Sequence, residues 1–320
     1  MEFRKNILAL DCKKETYRVC RFIKEQVRKL RRDGAVIGLS GGIDSALCAA
    51  LCVEALGKDK VYGLILPEKE SSPISAEYAE KHARDMGIRY ETVDITPTLE
   101  AFGTYDKRDE VIKEVVPDYR SNWKFKIALP ADLLEKDAFN FFTLKLDDGT
   151  GNTTTTRLNN DGLRGIVAAT DTKQRTRMMH LYYYAEKQNG LVCGTTNKSE
   201  TIQGFFVKYG DGGVDIEPIG HLYKTQVYQL SAYLSVIEEI MERAPSPDTF
   251  SFEVTDEEFY FRMPYDKLDL LLYSWEHKVD LSDVCGVMGL EEDQVKRAFR
   301  DFSSKYRVTE HLRQLPAAIK

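Results

Sequence analysis

Apolar residues in the first third of the chain recur at two alternating spacings. Val19, Phe22, Ile23, Val27 and Leu30 fall three and four apart, which predicts an amphipathic helix over 15–32 that Gly34 should close. Residues 36–39 are an unbroken apolar run, read as a buried strand, and 44–56 return to helical spacing. A second strand is expected at 61–66, a helix at 75–86 ended by Gly87, and a third strand at 90–95. Strands alternating with helices across short loops predict an α/β fold, a doubly wound, mostly parallel sheet flanked by helices. Its ligand crevice should lie beyond the carboxyl ends of the strands.

From 104 to 165 the pattern changes. An aromatic, partly alternating run at 139–146 precedes the turn cluster Asp147, Asp148, Gly149, Thr150, Gly151, Asn152 and then four threonines, Thr153 to Thr156. That reads as a short antiparallel hairpin inserted into the α/β pattern. Helical spacing resumes at 173–186, a short strand is expected at 191–194, and a helix at 225–233. Beyond 236 the chain is charged and mostly helical. The organisation is therefore one domain, 1–320, with an insertion at 104–165 and a helical C-terminal subregion at 236–320.

Composition narrows the class. The 320 residues are 42% hydrophobic and 30% charged with a net charge of −6, as in a soluble enzyme and unlike a general nucleic-acid or membrane binder. No apolar run approaches the roughly 20 residues a bilayer span needs. No apolar signal segment follows the first residues, so a cytoplasmic protein is expected. The six cysteines form no Cys-x-x-Cys pair and the five histidines are scattered, which disfavours zinc. Residues 281–300 have helix-turn-helix spacing, but Glu291, Glu292 and Asp293 would repel phosphate, so a packed helical hairpin is the better reading.

The chemistry starts where the first strand stops, at Ser40, Gly41, Gly42, Ile43, Asp44 and Ser45. Glycines let the backbone turn tightly and let a ligand approach. Amides at the following helix N-terminus form an anion nest, and the serines add hydroxyl donors. Asp44 would repel bare phosphate, which implies magnesium between carboxylate and phosphate. The loop lacks the lysine of the common phosphate loop and is not Gly-x-Gly-x-x-Gly. It resembles the pyrophosphate loop of the ATP pyrophosphatases of the adenine-nucleotide α-hydrolase fold, a superfamily that includes the NAD synthetases. That resemblance implies cleavage of ATP between its α- and β-phosphates, with AMP passed to an acid.

Three later stretches are similar to the NAD synthetase family in order and spacing. They are Arg175 to Met178 with Leu181 and Tyr182, Gly194 to Glu200, and Gly204 to Ile216 continuing to Lys224, Thr225 and Gln226. Weaker similarity extends through Thr255 to Glu258, Pro264 to Asp269, and His311, Arg313 and Pro316. The resemblance implies ATP- and magnesium-dependent amidation of deamido-NAD to NAD through an acyl-adenylate, with ammonia as nucleophile. A carboxylate is a poor electrophile and must be adenylated first. The work then falls to positioning and charge rather than to acid–base groups.

By that resemblance, Asp44 and Glu200 hold magnesium. Ser40, Gly41, Gly42, Ile43, Asp44, Ser45, Thr195, Lys224 and Ser246 contact ATP or pyrophosphate. Arg175, Lys208, Asp211 and Asp215 contact deamido-NAD. Asp44, Lys208, Asp211 and Lys224 are the catalytic set. Too few residues precede position 36 to hold a glutaminase, so the ammonia-dependent form is expected, and that form is a homodimer. The sequence departs from the family at the long insertion, after Ser246 and Pro247, at Phe259 to Phe261, and at Leu312, where a lysine usually stands. Those departures keep a second reading open, an amide synthetase acting on another carboxylate, and behind it a nucleotide sensor without catalysis.

Overall fold

The structure, a computed structural model, describes residues 2–129, 132–135 and 141–319. In chain order, α1 (Cys12–Lys29) leads to β1 (Gly34–Gly38), α2 (Ile43–Leu56), β2 (Val61–Ile65), α3 (Pro73–Met86) and β3 (Arg89–Thr92). Next come α4 (Thr96–Phe102), α5 (Thr104–Val115), β4 (Lys124–Ala128), β5 (Thr143–Asp147), β6 (Thr153–Arg157), α6 (Asn160–Lys187) and β7 (Gly190–Cys193). The rest is helical: α7 (Lys198–Gln203), α8 (Lys224–Tyr233), α9 (Glu238–Glu242), α10 (Tyr265–Glu276), α11 (Leu281–Met288), α12 (Glu292–Val308) and α13 (Glu310–Arg313), with a π-helical turn at Glu257–Phe261.

β1, β2, β3 and β7 form the expected parallel sheet, in the order β3-β2-β1-β7. Its strand β1 is apolar on both faces because helices cover both. Ala35 and Ile37 pack towards α1 and α2, while Val36 packs towards Met178 and Leu181 of α6. β3, at the edge, carries Arg89 and Glu91 and is mostly exposed. The chain leaves β1 towards β2 on one side and returns through β7 on the other, so the topological switch point lies at the carboxyl ends of β1 and β7.

Three expectations need correction. Gly34 does not end α1; it opens β1, where a Cβ would meet the Lys60 carbonyl oxygen at 2.2 Å. The insertion is only partly strand. Its first stretch is α5, packed along α6 with Val111 against Gly165 and Ile112 near Ile166, and its strands form a three-stranded antiparallel sheet, β4-β5-β6. The Asp147 to Asn152 turn does join two of them, as a β5–β6 hairpin. Phe139 and Asn140 of the aromatic run lie outside the described residues. Finally, the helix expected at 173–186 is the second half of α6, which starts at Asn160 with the Asn159 carboxamide capping the Gly162 amide at 2.7 Å. α11 and α12 bury Val284, Val295, Ala298 and Phe302 against Leu268, Leu271 and Leu272, so packing accounts for their helix-turn-helix spacing.

Candidate active site

The glycine loop sits at the switch point. Gly41 has φ +74°, and a Cβ there would lie 2.2 Å from the Ser75 carbonyl oxygen. Ser45 Oγ donates to the Gly42 carbonyl at 3.0 Å and lies 3.0 Å from Ser40 Oγ, while the Gly42 amide donates to Ser40 Oγ at 3.2 Å. The two serines thus brace the turn. α2 begins at Ile43 with Gly42 as its N-cap, so no side chain caps the first turn and its amides are left to a ligand. Gly41→Ala is expected to cost about 1–3 kcal/mol of stability or loop geometry. Nucleotide affinity should fall with it, and thermal melts with and without ATP would measure both.

Asp44, on the first turn of α2, meets residues from the starts of α7 and α8. Its Oδ2 accepts from Lys224 Nζ at 2.5 Å and its Oδ1 from Asn197 Nδ2 at 2.9 Å. Lys224 Nζ also lies 3.7 Å from Glu200 Oε1. Glu200 is aimed by a capping box at the start of α7, its amide donating to Asn197 Oδ1 and the Asn197 amide to Glu200 Oε2, each at 3.1 Å. Asp269 fixes the start of α8 from behind, accepting from Ser199 Oγ at 2.6 Å and the Thr225 amide at 2.7 Å.

Electrostatics follow from that crowding. Burial pulls the Lys224 pKa down, but Asp44, Glu200 and Asp256 outweigh it and hold it above the ordinary lysine value. Burial, then Asp44, pushes Glu200 well above the carboxylate range against the pull of Lys224. Asp256, in the loop before the π-helical turn, is also raised by burial. Its Oδ2 accepts from Tyr265 at 2.9 Å, and its Oδ1 has no hydrogen-bond partner. Three carboxylates therefore face one ammonium. That surplus suits a divalent cation, although no cluster of three or more metal-ligating side chains is arranged as a cage among the described residues.

Several of these residues line a cleft of about 650 Å³, within the usual range for a small-molecule site. Ser40, Gly42 to Ser45, Thr195, Glu200, Lys224, Ser246 and Asp256 all face it. A second hollow of about 790 Å³ adjoins it, and Arg175 and Lys208 line both. Arg175 Nε donates to the Lys208 carbonyl at 3.2 Å, and Lys208 Nζ reaches the His311 carbonyl at 2.6 Å. Asp211 faces the cleft, accepts from the Val207 amide at 2.8 Å, and burial raises its pKa to about 6. Asp215 lines neither space. Its oxygens accept from Tyr182 at 3.1 Å and the Val192 amide at 2.7 Å, so it ties the 211–216 turn to α6 and β7.

Sequence reasoning missed Asn197, Asp256 and Arg177. The first was legible as Asn-x-x-Glu, a capping-box spacing. Arg177 lines the cleft and donates to the Leu66 carbonyl at 3.1 Å; burial lowers its pKa. Only its place two residues after Arg175 could have signalled it.

Comparisons with known proteins identify the family. The NAD synthase family pattern matches residues 15–134 and 130–316. The NH3-dependent NAD(+) synthetase of Mesorhizobium japonicum is 45% identical over 311 residues, 97% of each chain. That of Thermotoga maritima is 41% identical over 273 residues, covering 82% of this chain and 87% of its own. Among solved structures, the NH3-dependent NAD synthetase from Campylobacter jejuni has a TM-score of 0.63 at 27% identity, covering 98% of this chain and 100% of that one. The NMN synthetase from Francisella tularensis, with a TM-score of 0.66 at 24% identity over 97% and 99% of the two chains, shares the fold. Similarity of this degree along nearly the whole sequence places the chain in the NAD synthase family.

Proposed function

We propose that the chain amidates deamido-NAD to NAD with ammonia, using ATP and magnesium and releasing AMP and pyrophosphate. The observation that carries the reading is the junction of two cavities at Arg175 and Lys208, with the Asp44, Lys224 and Glu200 cluster in the first. The reaction needs two large substrates to meet head to head, and this arrangement brings two spaces together at a pair of cations.

In this reading ATP occupies the cleft with its pyrophosphate on the Ser40 to Ser45 loop. The first-turn amides of α2, the serine hydroxyls and Lys224 stabilise charge that grows on phosphate oxygens as the α–β bond breaks. Asp44 and Glu200 are the residues that would hold magnesium, whose chemistry there would be neutralisation of phosphate charge. The deamido-NAD carboxylate reaches across the junction to the α-phosphate, guided by Arg175, Lys208 and Asp211. Ammonia then attacks the acyl carbon, and AMP leaves. Asp215 serves as a support for this wall.

Homodimerisation through the outer side of the second hollow fits the exposed Met179 and Tyr209 there, which a second copy would cover. No helix of the described residues is long and apolar enough to cross a membrane, and a cytoplasmic location is proposed. The test is direct: purified protein with ATP, magnesium, ammonium and deamido-NAD should yield NAD and AMP in equal amounts. AMP formed only with another carboxylate, such as nicotinate mononucleotide, would overturn the acceptor assignment. No pyrophosphate release with either would overturn catalysis.

A further inference from the structure

β4 lies at the edge of the inserted sheet, with β5 on one side only. Edge strands expose a row of unpaired backbone groups that needs cover. Here the cover is the segment 250–258, which leads from the cleft to Asp256. The Phe252 amide donates to the Phe125 carbonyl at 3.0 Å, the Phe125 amide donates to Ser251 Oγ at 3.0 Å, and the Leu129 amide reaches the Glu258 carbonyl at 3.3 Å. The Phe125 and Phe250 rings meet edge to face with centroids 5.6 Å apart.

Lys126 fastens this contact. Its Nζ donates to the Glu253 carbonyl at 2.9 Å and to the Glu258 carboxylate at 2.8 Å. Its side chain is only 7% exposed, an unusual state for lysine, and it spans the join between the insertion and the segment. Just upstream, the same segment roofs the cleft. Asp248 accepts from the Ser72 amide at 3.1 Å and Ser75 Oγ at 2.8 Å, and the Thr249 carbonyl accepts from Lys173 Nζ at 2.9 Å. Ser246, Asp248, Phe250, Asp256 and Phe259 all line the cleft.

The geometry points to the inserted sheet as a clamp that holds the 245–258 roof over the nucleotide cleft, with Lys126 as its positioning residue. It deepens the proposed function by giving the insertion a role in nucleotide binding. Its kinetic arm rests on that reading, while its proteolytic arm does not. Upstream, the roof is held by Asp248 at the cleft mouth and by the buried Lys173 ammonium on the Thr249 carbonyl, contacts that leave 250–258 to be fixed from the insertion side. A backbone-paired edge, an aromatic contact and a charge-assisted hydrogen bond make that hold.

The test uses the full chain with Lys126→Met and Glu258→Ala, which break one contact from opposite sides, and Lys126→Arg, which keeps the charge. Limited chymotrypsin digestion, read by mass spectrometry, reports cleavage after Phe250 and Phe252. Both disrupting variants should be cut about tenfold faster than wild type and raise the KM for ATP about tenfold, with kcat changed less than about twofold. Lys126→Arg should restore both towards wild type. Wild-type cleavage rates and KM in both disrupting variants would overturn the clamp, as would a fall in kcat and Tm with KM unmoved. Glu258 is 42% exposed, so its variant reports even if the lysine change prevents folding. Wild-type protein that makes no NAD would remove the proposed function and leave the digestion result standing.

Discussion

Replacing Lys224 with methionine is expected to lower kcat/KM by about 10²–10³-fold, the loss seen when one preorganised donor is removed from a developing charge. Methionine keeps the length and apolar stem, so the change isolates the ammonium. In the native site that ammonium is 2.5 Å from Asp44 and 3.7 Å from Glu200, and Asp256 adds a third negative field. Because its pKa is held above the ordinary lysine value, it stays charged through the neutral range, and in the proposed reading it would draw phosphate towards the loop. Without it, the carboxyl groups of Asp44, Glu200 and Asp256 would be left facing the position that the proposed reading gives to pyrophosphate. Higher magnesium should recover part of the ATP affinity, since a divalent cation can offset the same charge, but should not restore kcat. Steady-state kinetics across a magnesium series would decide. A loss under about tenfold would mean Lys224 only pairs with Asp44 and takes no part in the chemistry.

Much of this site was legible in the chain because its parts carry local signals. Ser40 to Ser45 declares itself by breaking an apolar run with residues that suit a tight turn, and the structure puts it at the carboxyl end of β1. The fold was legible for a similar reason: strands buried on both faces read as continuous apolar runs, as β1 and β7 do. Register and partners were not. Nothing in the local pattern around Thr255 to Glu258 says that Asp256 points back towards Lys224, since that depends on the loop's path over the cleft. The role of the insertion was hidden in the same way. Lys126 looks like a solvated charge in an alternating strand, and only tertiary packing against 250–258 buries it. Asp215 differs again: it sits inside a stretch similar to the family's substrate segment, while Tyr182 and the Val192 amide already donate to its carboxylate, a tie that only the tertiary structure reveals.

A second large effect is expected at Lys173, which is fully buried behind the cleft. Its Nζ donates to Glu68 at 2.8 Å, Glu70 at 2.7 Å and the Thr249 carbonyl at 2.9 Å. Arg108 completes the network by gripping both Glu70 oxygens, at 2.7 and 2.8 Å, and Tyr105 donates to Glu68 at 2.7 Å. Lys173→Met should cost about 3–5 kcal/mol at neutral pH, because removing one partner of a buried pair strands the other. Tm should fall by on the order of 5–10 °C. The pH dependence distinguishes this cause from simple loss of packing. In the native protein burial would raise the Glu68 pKa, but Lys173, Tyr105 and the Glu70 amide outweigh it and hold it below the ordinary value. Glu68 therefore contributes stability above its unfolded pKa, and that contribution is lost as pH falls through its folded pKa. In the variant the sign reverses. Burial without the ammonium lifts the Glu68 pKa, so its ionised form is penalised at neutral pH and its neutral form is tolerated in acid. The stability gap between wild type and Lys173→Met should thus narrow steadily from pH 7 towards pH 4–5 in denaturant melts. A gap constant with pH would assign the loss to packing and place the charge network outside the forces that hold the roof.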